Sequence, residues 1–149
     1  GGSVAAFAPT ERLRRRTQSG GQSVSKIGIV IVDAQQLIRA GFSLILQAQD
    51  DLRVLGEGSS TADAVALVER HRPDVVLVAS TLADGDGFAA TERIRALGAP
   101  QPCIVVLVGS RDGDLGERAR AAGADRTLGK YAIPEQIVAE VRHAAAVPR

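Results

Sequence analysis

The stretch Val75-Val-Leu-Val-Ala-Ser-Thr-Leu-Ala-Asp-Gly-Asp-Gly87 decides the fold. Its opening run is apolar without alternation, as suits a strand buried on both faces, and such strands belong to parallel sheets covered by helices on either side. The run ends at Ala79 and passes into a loop rich in Gly and Asp. In an open α/β sheet, chemistry gathers at the carboxyl ends of the strands. The residue at this end is a methyl group, with no acid, nucleophile or ligand to offer, so the rest of the chain has to say whether an activity was lost or never needed.

The same grammar extends in both directions. Upstream, Ile27-Gly-Ile-Val-Ile-Val32 is a first buried strand closed by Asp33. Residues 35 to 48 follow at helical spacing, with Leu37, Gly41, Leu44 and Ala48 on one stripe and Ile38, Phe42 and Ile45 beside it, which predicts a wide apolar face. Leu52 to Gly56 is a short second strand. Ser60 stands three residues before Asp63 as a capping box, opening a helix that ends in Arg70-His71-Arg72-Pro73, with cations at the negative end of its dipole. Downstream, a third helix is expected from Phe88 to Leu97 before Gly98, and a fourth strand over Ile104 to Val108. A helix over 112 to 122 is weakened by Gly113 and Gly116. A fifth strand follows over Arg126 to Gly129, and a last helix opens at Pro134 with Ile137, Val138 and Val141. Five strands separated by helices imply right-handed crossovers, hence an α/β, doubly wound, five-stranded parallel sheet of flavodoxin-like order 2-1-3-4-5.

Composition sets the outer limits. At 149 residues, 45% hydrophobic and 23% charged, the chain suits one well-buried domain, read as residues 26–147 behind a basic arm at 1–25. The single cysteine, Cys103, excludes an internal disulfide, and no Cys/His cluster has zinc spacing, so a reducing compartment, the cytoplasm, is expected. No apolar run reaches membrane-spanning length, no secretory leader is evident, and the lack of any methionine suggests a processed or partial product. The net charge of +1 is uneven: the arm holds Arg12, Arg14, Arg15 and Arg16 against Glu11, and the body carries 14 basic and 16 acidic residues. A slightly acidic body has no footprint for the phosphate backbone of nucleic acid. The arginine run reads as a solvated tail.

Val32-Asp33, Arg72-Pro73-Asp74-Val75-Val76-Leu77, Asp86-Gly87, Ala122-Gly123-Ala124 and Lys130 together resemble the receiver domain of two-component response regulators, over about residues 27 to 146. Leu37-Ile-Arg-Ala-Gly41 and the Lys130…Ile133-Pro134-Glu135 ending look most like the NarL/LuxR subfamily. The resemblance implies a C-terminal helix-turn-helix domain in the full-length protein, through which it would reach DNA. It also implies an aspartate acceptor at the end of strand 3, acids after strand 1 that hold Mg²⁺, and a hydroxyl and a lysine that read the phosphate. Carried over residue by residue, the acceptor position is Ala79, the acids fall on Asp33 and Ala34, the hydroxyl on Gly109 and the lysine on Lys130. Only Asp33 and Lys130 keep the family's chemistry. An acyl phosphate needs a carboxylate nucleophile and Mg²⁺ favours carboxylates with phosphate oxygens, so metal binding is expected to be weak or absent, no cofactor is expected, and the domain is not read as an enzyme.

The expected site is therefore a degenerate phosphorylation pocket of Asp33, Ala34, Ala79, Ser80, Gly109, Ser110 and Lys130, with Asp33 and Lys130 paired to each other. The resulting reading is an atypical receiver, a regulatory module independent of phosphorylation. Two others stand beside it. Asp84 or Asp86 acts as a non-standard acceptor, although acids in such loops commonly cap the next helix; or the crevice serves a flavodoxin-like sensor of a neutral or anionic small molecule. A cobalamin-type site would need a histidine where Gln35 stands. Homodimerisation is expected, with Ile38, Phe42, Ile45, Ile137, Val138 and Val141 as candidate interface residues, because the first helix is apolar on more than one stripe.

Overall fold

A computed structural model describes residues 25–109 and 114–146. The elements run β1 (Ile27–Val32), α1 (Gln36–Gln47), β2 (Leu52–Gly58), α2 (Thr61–His71), β3 (Val75–Ala79), β4 (Thr81–Leu82), β5 (Gly85–Asp86), α3 (Gly87–Arg95), β6 (Cys103–Val108), α4 (Asp114–Ala122), β7 (Arg126–Gly129) and α5 (Pro134–Ala146). Five of the strands form one parallel sheet in the order β2-β1-β3-β6-β7, the doubly wound arrangement the apolar runs imply. The two-residue strands β4 and β5 make a separate antiparallel hairpin directly after β3, too short to leave a pattern in the sequence.

The central strands are sealed on both faces. Ile29 to Val32, Val75 to Ala79 and Ile104 to Leu107 are fully buried. Helices then bury one stripe each. Phe42 and Leu46 of α1 face the sheet while Leu37 and Leu44 are 83% and 77% exposed, so the stripe through Leu37, Gly41, Leu44 and Ala48 points to solvent instead of widening the buried face. On α5, Ile137, Val138, Val141 and Ala144 are buried.

This corrects the expected dimer surface. Phe42, Ile137, Val138 and Val141 belong to the core of a single chain, because a helix covering a sheet turns its bulkiest stripe inward, and Ile38 and Ile45 are only partly accessible. Helix boundaries follow their caps. Ser60 Oγ accepts from Asp63 N at 3.0 Å, and the Asp63 carboxylate reaches back to Ser59 N at 3.0 Å, one residue earlier than a standard box. At the far end Arg72 takes a left-handed conformation with φ 48°, its N–H donating to Val68 O, before Pro73 turns the chain into β3. The third helix opens at Gly87, and the fourth is described from Asp114. The basic arm, apart from Ser25, and Ser110 lie outside the described residues.

Candidate functional site

Parallel ladders bring the strand ends to one level, and their last backbone bonds fix the residues just beyond them. Asp33 N donates to Gly58 O at 3.0 Å, Ser80 N to Leu107 O at 2.9 Å and Lys130 N to Val108 O at 3.0 Å. Three segments far apart in sequence therefore open onto one crevice at the carboxyl edge of the sheet. Asp33, Ala34, Ser80, Gly109 and Lys130 line a cavity of about 630 Å³ there. Ala79, the last residue of β3 before Ser80, is fully buried and does not line the cavity.

Asp33 is completely buried and Lys130 nearly so, and the ammonium Nζ stands 3.0 Å from Asp33 Oδ2. The contact is an ion pair between two largely buried side chains. The other carboxylate oxygen accepts from Gln35 N at 2.9 Å, which closes the turn into α1. Arg39, one turn into that helix, donates to the Asp33 carbonyl at 2.6 Å and pairs with Glu57 at 3.6 Å, so the backbone beneath the acid is tied to α1 and, through Glu57, to β2.

Two glycines shape the crevice. A Cβ on Gly87 would lie 2.1 Å from the carbonyl oxygen of Ala79, a backbone atom that cannot yield, so only glycine lets the β5–α3 junction close over the end of β3. A Cβ on Gly109 would lie 3.0 Å from Lys130 Cδ. The missing side chain at 109 thus makes room for the lysine stem to fold toward Asp33.

The hairpin acids have structural partners. Asp84 accepts from Thr61 N at 2.6 Å and from Ala62 N at 3.4 Å, capping α2 from outside its own segment, and those backbone donors hold its carboxyl below the usual carboxylate range. It does not line the crevice. Asp86 does, and its Oδ1 also accepts from Ala89 N at 2.8 Å as the N-cap of α3. Sequence reasoning missed the rest of the lining: Gln35, Thr81, Phe88, Leu115, Arg118 and Tyr131. Only the third dimension brings Arg118 onto the Phe88 ring, 4.3 Å from its centroid. Among the described residues no three His, Cys, Asp or Glu side chains converge as a metal site.

A crevice built from these strand ends on this sheet has relatives. Residues 29–142 match the response regulator receiver domain family. The chain is 32% identical over 116 residues to the response regulator protein VraR of Staphylococcus aureus, an alignment covering 78% of this chain and 55% of that protein. It is 32% identical over 120 residues to the uncharacterized transcriptional regulatory protein YxjL of Bacillus subtilis, covering 80% and 55%. It thus spans about half the length of these curated relatives. In structure it is similar to the signal receiver domain of the putative response regulator NarL from Mycobacterium tuberculosis, with a TM-score of 0.78 and 25% identity over 82% of this chain and 98% of that one. With the family matched over residues 29–142, the chain belongs to the response regulator receiver domains.

Proposed function

We propose that this receiver works without phosphorylation, as a regulatory and dimerisation module of a LuxR-type regulator in the cytoplasm, and that in the full-length protein it governs a C-terminal helix-turn-helix domain that binds DNA. The observation that carries the reading is the occupancy of the family's acceptor position by Ala79, fully buried, together with an Asp33–Lys130 pair in which each charge already has its counter-charge. Ala34, at the position of the second acid, adds no ligand for Mg²⁺. Regulation then rests on self-association or on a ligand, with no covalent step and no enzymatic role. The relatives' greater length supports a second domain, and the word "transcriptional" in the name of YxjL supports its kind.

One alternative has a specific observation behind it: Asp86 shares the crevice with Lys130 and is the remaining acid there that a phosphodonor would meet. Incubating the chain with acetyl phosphate and Mg²⁺, followed by intact-mass analysis, separates the two. The unmodified mass is expected. A stoichiometric phosphoryl adduct sinks the proposal, and its loss in Asp86→Asn would establish the alternative.

A further inference from the structure

Among the described residues, the crevice keeps one cation, Arg118, with no acid partner. Arg39, Arg95, Arg126 and Arg142 are each engaged by an acid, namely Glu57, Asp125, Glu140 and Asp51. Arg118 is exposed on α4, and its described contact is the face of Phe88. A guanidinium lying over an aromatic face keeps its five N–H donors, which suits bidentate recognition of a carboxylate or phosphate. Around it the cavity is divided by character. Phe88, Leu115 and Tyr131 provide apolar surface, whereas Ser80 and Thr81 provide hydroxyl groups at the end of β3. The Asp33–Lys130 pair below is neutral as a unit, and Asp86 is tied to the first turn of α3. A volume of about 630 Å³ falls in the range of small-molecule sites.

We propose that the crevice binds a small organic anion: Arg118 takes its carboxylate or phosphate, Ser80 and Thr81 hydrogen-bond to it, and its apolar body lies against Phe88, Leu115 and Tyr131. The proposal rests on the reading that the crevice carries no covalent phosphoryl group. Such a ligand bridges α4 to the β3–α3 junction and to the residue after Lys130, so its differential affinity for one placement of α4 would shift the domain's population without chemistry.

The probe is 8-anilinonaphthalene-1-sulfonate, an anion with an apolar body, titrated into the whole chain by fluorescence beside its uncharged counterpart N-phenyl-1-naphthylamine. Saturable binding is expected, tighter for the anion. Arg118→Gln should weaken the anion about tenfold, the loss of a charged hydrogen-bonding partner, and leave the neutral probe unchanged, while Arg118→Lys restores part of the affinity. Arg142→Gln, on the opposite α1–α5 side, should change nothing. Equal anion affinity in Arg118→Gln, sensitivity to Arg142→Gln instead, or no saturable binding overturns the ligand site. Intact mass after acetyl phosphate is read separately: an adduct overturns the reading beneath, and failed probe binding without an adduct rejects the ligand site alone.

Discussion

Lys130 and Asp33 meet as a buried ion pair at 3.0 Å. Neither could remain ionised and buried alone, since removing one partner of a buried pair strands the other at a cost of about 3–5 kcal/mol. Lys130→Ala is therefore expected to destabilise the fold by about that amount, measured by urea unfolding. The double variant Asp33→Asn/Lys130→Met, which removes both charges and keeps an acceptor for Gln35 N, should be more stable than Lys130→Ala. A single-variant loss below about 1 kcal/mol, the range of exposed pairs, would mean that water reaches the pair. Gly87 is a second residue with no alternative. Gly87→Ala drives a methyl carbon to 2.1 Å from the Ala79 carbonyl oxygen, and the strand end must move, at about 3 kcal/mol or more. Gly98→Ala, with nothing within 4 Å, is the matched control and should show no clash.

Among the elements, α2 depends most on borrowed acids. Ser60, Asp63 and Asp84 meet the free N–H groups at or beside its first turn, and Asp84 comes from the hairpin after β3, so the cap also ties that hairpin to the helix. Ser60→Ala should cost about 1 kcal/mol. The acids set a pH dependence whose sign is fixed. Asp63 and Asp84 are both held below their ordinary values, first by backbone donors from Ser59 and Thr61, and Asp51 first by its hydrogen bond from Arg142. A carboxyl lowered on folding contributes stability that is complete above its unfolded value and lost as pH falls through the folded one. Stability should thus be level near neutrality and decline below about pH 4. The decline should be shallower in Asp84→Asn, followed by thermal melts across pH; a slope identical to that of the parent would show that the trans cap is not formed in solution. Asp63 and Asp84 are exposed and Asp51 is half-buried, so each effect is small.

At the scale of the molecule, the unspent surface is on α1. Leu37 and Leu44 stand almost fully in water, with Ala48 continuing their stripe into a cleft of about 440 Å³ against α5, lined by Ile45, Pro134 and Val138 among others. Exposed leucines on one stripe beside an apolar cleft suit a twofold contact, in which each copy offers both the ridge and the groove. The chain is expected to sediment as a dimer at micromolar concentration without any phosphodonor. Leu37→Asp/Leu44→Asp should sediment as a monomer with an unchanged fold, since neither side chain supports the core. A parent chain that is monomeric throughout that range refutes constitutive dimerisation.

The fold was legible in the sequence because strands buried on both faces cannot alternate: Ile27–Val32, Val75–Ala79 and Cys103–Val108 declare themselves as unbroken apolar runs, and only a parallel sheet between helices buries so many. The strand-end positions of the crevice were legible for a related reason, since strand ends are fixed in sequence, and Asp33, Ala79 and Lys130 stand directly at them. Helix faces were less so. An apolar stripe in α1 shows which residues could be buried, and packing on the sheet chose Phe42 and Leu46 and left Leu37 and Leu44 in water. The meeting of Arg118 with Phe88, and of Asp84 with the start of α2, joins residues 30 and 23 positions apart. No local period or propensity encodes such contacts; they exist because the crossovers bring α4 over α3 and the hairpin over α2, and that placement is decided by the sheet as a whole.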